Sequence, residues 1–262
     1  MRTPVRWAVA IRRPDGEIVT ETHDVPDRWT ALRRTLARGP AALAEAVSIG
    51  LEALRISVRE SAGVVPTSAQ MRSTLATVGA GVIALFVIAP AVFVSGWSDW
   101  TADVLEAVLR AAVLLVYLLT ISRSASARRL FGYHGAEHKV IAAFEQRGET
   151  PTLDEARAPS PVHPRCGTSF IALFVIVAGV VHAFVPRAPV WAGALWRVLL
   201  LPIDAALAYE VMRATARHEK TIVARILSLP GRALQRLTTR EPADDQLEVA
   251  LAAFGALSKP SA

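Results

Sequence analysis

Thr74-Leu-Ala-Thr-Val-Gly-Ala-Gly-Val-Ile-Ala-Leu-Phe-Val-Ile-Ala-Pro-Ala-Val-Phe-Val-Ser-Gly-Trp97 contains no charged side chain. A helix needs about 20 apolar residues to cross the hydrocarbon of a bilayer, so this run predicts a transmembrane span. A second run, Gly167 to Val185, is interrupted only by His182. Val104 to Ser122 and Val190 to Met212 are apolar as well, but the first carries Glu106 and Arg110, the second Arg197, Asp204 and Glu210. Charges at membrane depth are costly and turn toward protein or water, which makes these two the inward-looking helices. The expected fold is mainly α: a polytopic membrane bundle of about four transmembrane helices, with cytoplasmic amphipathic helices and a small N-terminal β-hairpin.

Composition agrees, with 52% hydrophobic residues and a net charge of +6. The basic surplus does not point to nucleic acid, because the cations are not interleaved with aromatics in a groove-like pattern. It follows topology instead. Arg123, Arg128, Arg129, Lys139, Arg147, Arg157 and Arg165 lie between the second and third spans, and Arg213, Arg217, Lys220, Arg225, Arg232, Arg236 and Arg240 follow the fourth. The short connection Ser98 to Asp103 has only Asp99 and Asp103, and Pro186 to Pro189 has only Arg187. By the positive-inside rule both termini and the central segment are cytoplasmic, in a multi-pass inner-membrane protein whose partners include membrane lipids. Met1 to Arg13 lacks the uninterrupted apolar core of a signal peptide. A lone Cys166 excludes an intramolecular disulfide and suits a reducing cytoplasmic face. The chain then divides into a cytoplasmic N-terminal segment (1–72), a transmembrane hairpin (73–122), a cytoplasmic segment (123–166), a second transmembrane hairpin (167–212) and cytoplasmic C-terminal helices (213–262).

Trp7 to Arg12 and Ile18 to His23 flank Pro14-Asp15-Gly16, which reads as strand, tight turn, strand. From Arg28 to Gly63 the apolar spacing becomes helical. With Glu45, Glu52, Arg55 and Arg59 between the apolar positions, this helix rests either on the membrane surface or on the protein's own cytosolic part. A further helix is expected from His134 to about Gln146, stopped by Gly148, and then a loop from Glu149 to the last of its four prolines, Pro164. Thr221 to Leu237 suggests two short interfacial helices around Pro230-Gly231. Asp244 to Leu257 reads as a terminal helix with Asp244 or Asp245 as its cap.

The chain has six histidines and one cysteine, and three of those histidines and the cysteine fall within residues 134–166. In His134-Gly-Ala-Glu137-His138 the spacing puts both imidazoles and the carboxylate on one helix face, where two histidines one turn apart can share an ion. The order HxxEH is that of the inverzincin metallopeptidases. His163-Pro-Arg-Cys166 returns from a proline-bound loop to the same membrane face, so all four can meet at one divalent metal ion, Zn2+ by ligand softness. Three protein ligands with an open position make a catalytic site, and four a structural one. Glu210 is either a further ligand, a partner that orients a histidine, or a membrane-edge carboxylate paired with Arg213 or Arg217. Lys139 stands directly after the motif in a chain with few lysines, and a catalytic or anion-binding role is open to it. The plain readings are ordinary histidines at 134 and 138 and a buried thiol at 166. A Cys166 nucleophile with His163 as base lacks a third orienting group nearby. His182 reads as a hydrogen-bonded packing residue and His218 as part of a solvated charge cluster.

Phe131-Gly-Tyr-His-Gly-Ala-Glu-His-Lys139, His163-Pro-Arg-Cys-Gly-Thr-Ser-Phe170 and Gln235-Arg-Leu-Thr-Thr-Arg-Glu-Pro-Ala-Asp-Asp-Gln-Leu-Glu-Val-Ala250 resemble the three signature blocks of the YqhQ family of bacterial membrane proteins. Arg12-Arg-Pro-Asp-Gly-Glu17 and Tyr209-Glu210 extend the likeness over nearly the whole chain. The family is of unknown function and is described as metal-dependent enzymes, so the resemblance implies a membrane protein with a metal-dependent activity. Family members usually begin with a glycine-rich segment that contains a glutamate and ends in Met-Met-Arg. Against that pattern the chain starts at Met1-Arg2, as though the segment were missing or the start codon were placed downstream.

Two functions follow. The first is an integral-membrane metal-dependent enzyme, a hydrolase using metal-activated water at the cytoplasmic face. In it His134 and His138 bind zinc, His163 or Cys166 completes the site, and Glu137 is general base. Its position favours a lipid-linked or membrane-protein substrate. The alternative is a non-enzymatic scaffold, assembly factor, channel or transporter with a four-ligand structural site. A channel version would string Arg110, Arg197 and Asp204 along a polar path.

Overall fold

In the computed structural model the residues described are 1–26, 38–63, 65–94, 96, 100–163, 166–185 and 189–258. The expected hairpin is present as β1 (Arg6–Arg12) and β2 (Ile18–Asp24), antiparallel with Arg6 opposite Asp24 and Arg12 opposite Ile18. Gly16 takes the left-handed turn position with φ 93°, a conformation that costs a residue with a Cβ. Two strands cannot sustain themselves in water. Trp7 and Ile11 accordingly bury one face against Val25 and against Ile56 of α1 (Arg38–Ala62). The start of the helix expected from Arg28 lies outside the described residues.

The apolar runs become α2 (Ser68–Phe93), α3 (Trp100–Ile121), and, after the intervening elements, α6 (Gly167–His182) and α7 (Val190–Arg217). Thr67 and Gln70 form a reciprocal capping box at the start of α2. Ala84–Ile88 is a π-helical turn, in which Ala89 N–H reaches back to the Ala84 carbonyl. Pro90 follows at once. It has no N–H to continue an α-helical ladder and its ring crowds the preceding turn, and the wider turn relieves both. Within α2, α3 and α7, the stretches Ser68–Phe93, Thr101–Ile121 and Trp191–Arg217 are long and apolar enough to cross a bilayer. Of the most apolar window in each, only 17%, 11% and 28% is buried. An apolar helix in a soluble core would be covered by protein, so this exposed apolar surface suits lipid. The fourth run forms a shorter helix of 16 residues, about 24 Å at 1.5 Å per residue. Full membrane length is thus reached by three helices among those described, with α6 a short apolar companion.

Charged residues of α3 and α7 find one another. Arg197 grips Glu106 through two bonds, Nε to Oε1 at 2.7 Å and the terminal nitrogen to Oε2 at 2.8 Å. Arg110, one turn along α3, donates to the same carboxylate. His182, at the end of α6, has Nε2 2.9 Å from Asp204 Oδ2. None of the five side chains' residues is more than 4% exposed.

At the other end of the bundle lie α4 (Ala125–Arg147), α5 (Leu153–Arg157), α8 (Ile222–Thr238) and α9 (Asp244–Ser258). Helix α4 starts nine residues before His134, at Ala125, capped by Ser124, whose hydroxyl accepts from Ala127 N; the alanines and arginines that follow are good helix formers. The expected loop contains α5, started by a Thr152–Glu155 capping box. Ala136 and Val140 of α4, Ala156 of α5, and Leu247 and Ala250 of α9 form a buried cluster. Asp244 and Asp245 occupy the first turn of α9, where their charge complements the helix dipole, and Asp244 is bound by Arg157. The region expected as two short helices is the single helix α8, continuous through Pro230. Pro230 removes one backbone bond, but Leu234 packs on Leu118 and Ala172, and at Gly231 a Cβ would stand 2.7 Å from that of Ser169. The helix keeps its course because its buried face is laid along α6.

Candidate metal centre

His134 and His138 sit one turn apart on α4, which ends at Gly148 in the left-handed conformation, φ 77°. Each ring is held from behind by a backbone carbonyl. His134 Nδ1 lies 2.8 Å from Thr238 O at the end of α8, and His138 Nδ1 lies 2.6 Å from Pro161 O. A carbonyl can only accept, so each Nδ1 carries the proton and donates it, leaving Nε2 as the other ring position. The approach that allows this is close. A Cβ at Gly135 would fall 2.0 Å from the Arg240 carbonyl oxygen, and Arg240 N–H donates to Phe131 O at 3.0 Å. Only glycine lets the segment after α8 lie against α4 here.

Cys166 caps α6, its Sγ accepting from Thr168 N at 3.3 Å. This places sulfur 3.3 Å from His134 Nε2. The rings of His134 and His138 are 4.4 Å apart between centroids, and donor atoms of His134, His138 and Cys166 all lie within 4.8 Å of one another. Burial pushes the Cys166 thiol up, but hydrogen bonds from His134, His138 and Thr168 outweigh it and bring it down to about 5. Burial likewise disfavours charge on His134, and there the hydrogen bond and charge of Cys166, with the Thr238 carbonyl, prevail and raise it. Without an ion, both shifts favour a thiolate beside an imidazolium. A cation replacing that proton would meet one thiolate and two oriented imidazoles, a donor set that suits zinc or a similarly soft divalent metal.

The other residues singled out in the sequence are placed nearby with different partners. His163 is buried with its centroid 5.8 Å from that of His138, outside the three-residue cluster, and its Nε2 is 3.1 Å from Glu145 Oε2. Gln235 of α8, fully buried, clamps the backbone of His163. It accepts from the N–H and donates to the carbonyl, each at 2.9 Å, and also donates to Ser169 Oγ. Glu137 is half-exposed on the side of the hairpin, 3.6 Å from the Met1 amino group. Lys139 is buried and ion-paired with Glu241. Glu210 is held by Arg38, which clasps the end of α7 to the start of α1. Thr238, Pro161, Gln235 and Glu145 support the site without having been singled out. Gln235 and Thr238 do fall inside the third block quoted above, which was the available signal.

Residues 35–259 match the family described as "Protein of unknown function (DUF1385)". The uncharacterized protein YqhQ of Bacillus subtilis (strain 168) is 32% identical over 278 residues, an alignment covering 96% of this chain and 86% of that protein. No solved structure matches the chain.

Proposed function

This chain belongs to the DUF1385 family of proteins of unknown function, and on that premise we propose an inner-membrane metalloenzyme with its ion at the cytoplasmic end of the bundle. The ligands are His134, His138 and Cys166. One observation carries the reading: both imidazoles are oriented through Nδ1 by backbone carbonyls while the site's donors cluster on the opposite side. Such outer partners are what metal-binding histidines use to fix tautomer and direction, and an ordinary packing histidine has no need of two matched ones.

Three protein ligands leave a fourth position for water or substrate, the arrangement of catalytic rather than structural zinc sites. When bound, a divalent ion supplies Lewis acidity that activates water near neutral pH. Glu137 lies one residue before His138 on α4, and it is the carboxylate that would take the proton from an attacking water once it leaves the Met1 amino group. Lys139 has its ammonium engaged by Glu241 and holds α4 to the segment before α9. The site stands at the mouth of α6, where a head group at the membrane surface can reach it, and this favours a lipid-linked substrate.

A structural staple is the second reading, and one observation favours it: His163 is buried close enough to His138 to supply a fourth ligand, a third imidazole, if it leaves Glu145. X-ray absorption of the purified protein loaded with one zinc equivalent separates the two. One sulfur, two imidazoles and one light oxygen ligand are expected. A third imidazole makes the site a staple, and failure to retain zinc removes both readings.

A further inference from the structure

Beside α6, among α1, α2, α3 and α7, lies a cavity of about 430 Å3. Leu43, Phe86, Tyr117 and Phe174 line it, and Arg110 and His182 close its far end. The surface it presents is hydrocarbon, since Arg110 and His182 are nearly fully buried and belong to the ion cluster of α3, α6 and α7. Its near end is at Phe170, one helical turn beyond Cys166. Phe170 to His182 spans about 18 Å along the helix at 1.5 Å per residue. The cavity is therefore a slot that starts beside the metal centre and runs into the membrane-spanning part of the bundle.

We propose that this slot holds the hydrocarbon tail of a membrane amphiphile, acyl or prenyl, whose polar head lies at the His134–His138–Cys166 end. The inference rests on the metal-centre reading for the head and on the cavity alone for the tail. A water-soluble ligand finds no hydrogen-bonding surface here, and a polar head inside the slot would be desolvated without partners. A tail costs nothing of that kind. The far end sets a length limit, because Arg110 is bound there to Glu106 and His182 to Asp204, and displacing either would leave a buried charge without its partner. The slot selects tails by length, and the metal end selects heads.

The test is photolabelling of the full chain in nanodiscs with an alkyl phosphate carrying a diazirine near its tail end, competed by unlabelled alkyl phosphates of graded length. Label is expected on the peptides containing Phe86 and Phe174, with competition that rises with chain length and then falls. Ala178→Phe narrows the far half of the slot and should move the optimum to shorter tails. Phe174→Ala widens it and should move the optimum to longer ones, so a folding failure of either variant leaves the other. Label spread evenly over the exposed faces of α2, α3 and α7 means surrounding lipid only and overturns the slot. Label confined to the slot but unchanged by chelation and by Cys166→Ser keeps the tail site and overturns its link to the metal centre.

Discussion

Among the described residues, two groups of buried ionisable side chains are built in opposite ways. Among the apolar helices, Glu106 is ion-paired with both Arg110 and Arg197, and His182 is bonded to Asp204, while Arg110 Nε, His182 Nδ1 and Asp204 Oδ1 are left buried without a hydrogen-bond partner. At the end of the bundle, His134 and His138 are satisfied from behind by backbone carbonyls of two different segments, and their remaining donors gather with Cys166 around a shared point. The first arrangement pairs its charges with one another, so it fixes how α3, α6 and α7 face one another. The second keeps capacity in reserve. That is why a bound ion is assigned to the second, even though the first holds more charge.

If this contrast is right, the largest effect comes from breaking the closed cluster. Arg197→Met leaves Glu106 buried with one partner fewer, and removing one member of a buried ion pair typically costs about 3–5 kcal/mol. Thermal unfolding in detergent should show that loss, and Arg197→Met with Glu106→Gln should recover part of it. Equal losses for the single and double variants would mean the pair contributes no mutual stabilisation. The open cluster should respond through protonation. In ion-free protein the ultraviolet absorbance of the Cys166 thiolate should titrate with a midpoint of about 5. Because the folded value lies below that of an ordinary thiol, the thiolate's hydrogen bonds stabilise the fold fully above the ordinary thiol value, and this is lost as pH falls through about 5. Metal affinity falls over the same interval, since the proton then competes for sulfur. His134→Ala should move the midpoint upward. A midpoint unmoved by that change would separate Cys166 from His134.

Much of this architecture was legible from the sequence. The runs beginning at Thr74, Val104 and Val190 are long enough that composition alone decides them, and Pro14-Asp15-Gly16 marks its hairpin because turn geometry is local. Helix α8 was not, because Pro230-Gly231 reads as a break to any local rule, and only Ser169 and Ala172 across the contact show why the helix continues. At the site, the sharing of one helix face by His134 and His138 follows from their spacing. Which of His163 and Cys166 stands with them does not, since both arrive on one short loop and only the engagement of His163 by Glu145 and Gln235 tells them apart. The carbonyls of Thr238 and Pro161 have no signature at all, because every residue has one and tertiary packing decides which are used.

Those carbonyls can be tested without touching any ligand. Gly135→Ala forces a methyl group toward the Arg240 carbonyl oxygen, so the segment after α8 must withdraw from α4 and carry Thr238 away from His134. Disturbing an outer partner of a metal ligand typically lowers affinity about 10–100-fold, and zinc competition with a chromogenic chelator should read a loss of that size. Gly148→Ala sets the lower bound. It strains the left-handed end of the same helix, φ 77°, at a cost of about 1–2 kcal/mol, yet nothing lies within 4 Å of the added methyl group. Thermal stability should therefore fall modestly while zinc affinity stays put. If Gly148→Ala weakens zinc as much as Gly135→Ala, the site senses the general rigidity of α4 and the special role given to the backbone carbonyls is lost. If only Gly135→Ala does, the reserve of the open cluster depends on the segment between α8 and α9 that holds His134 from behind.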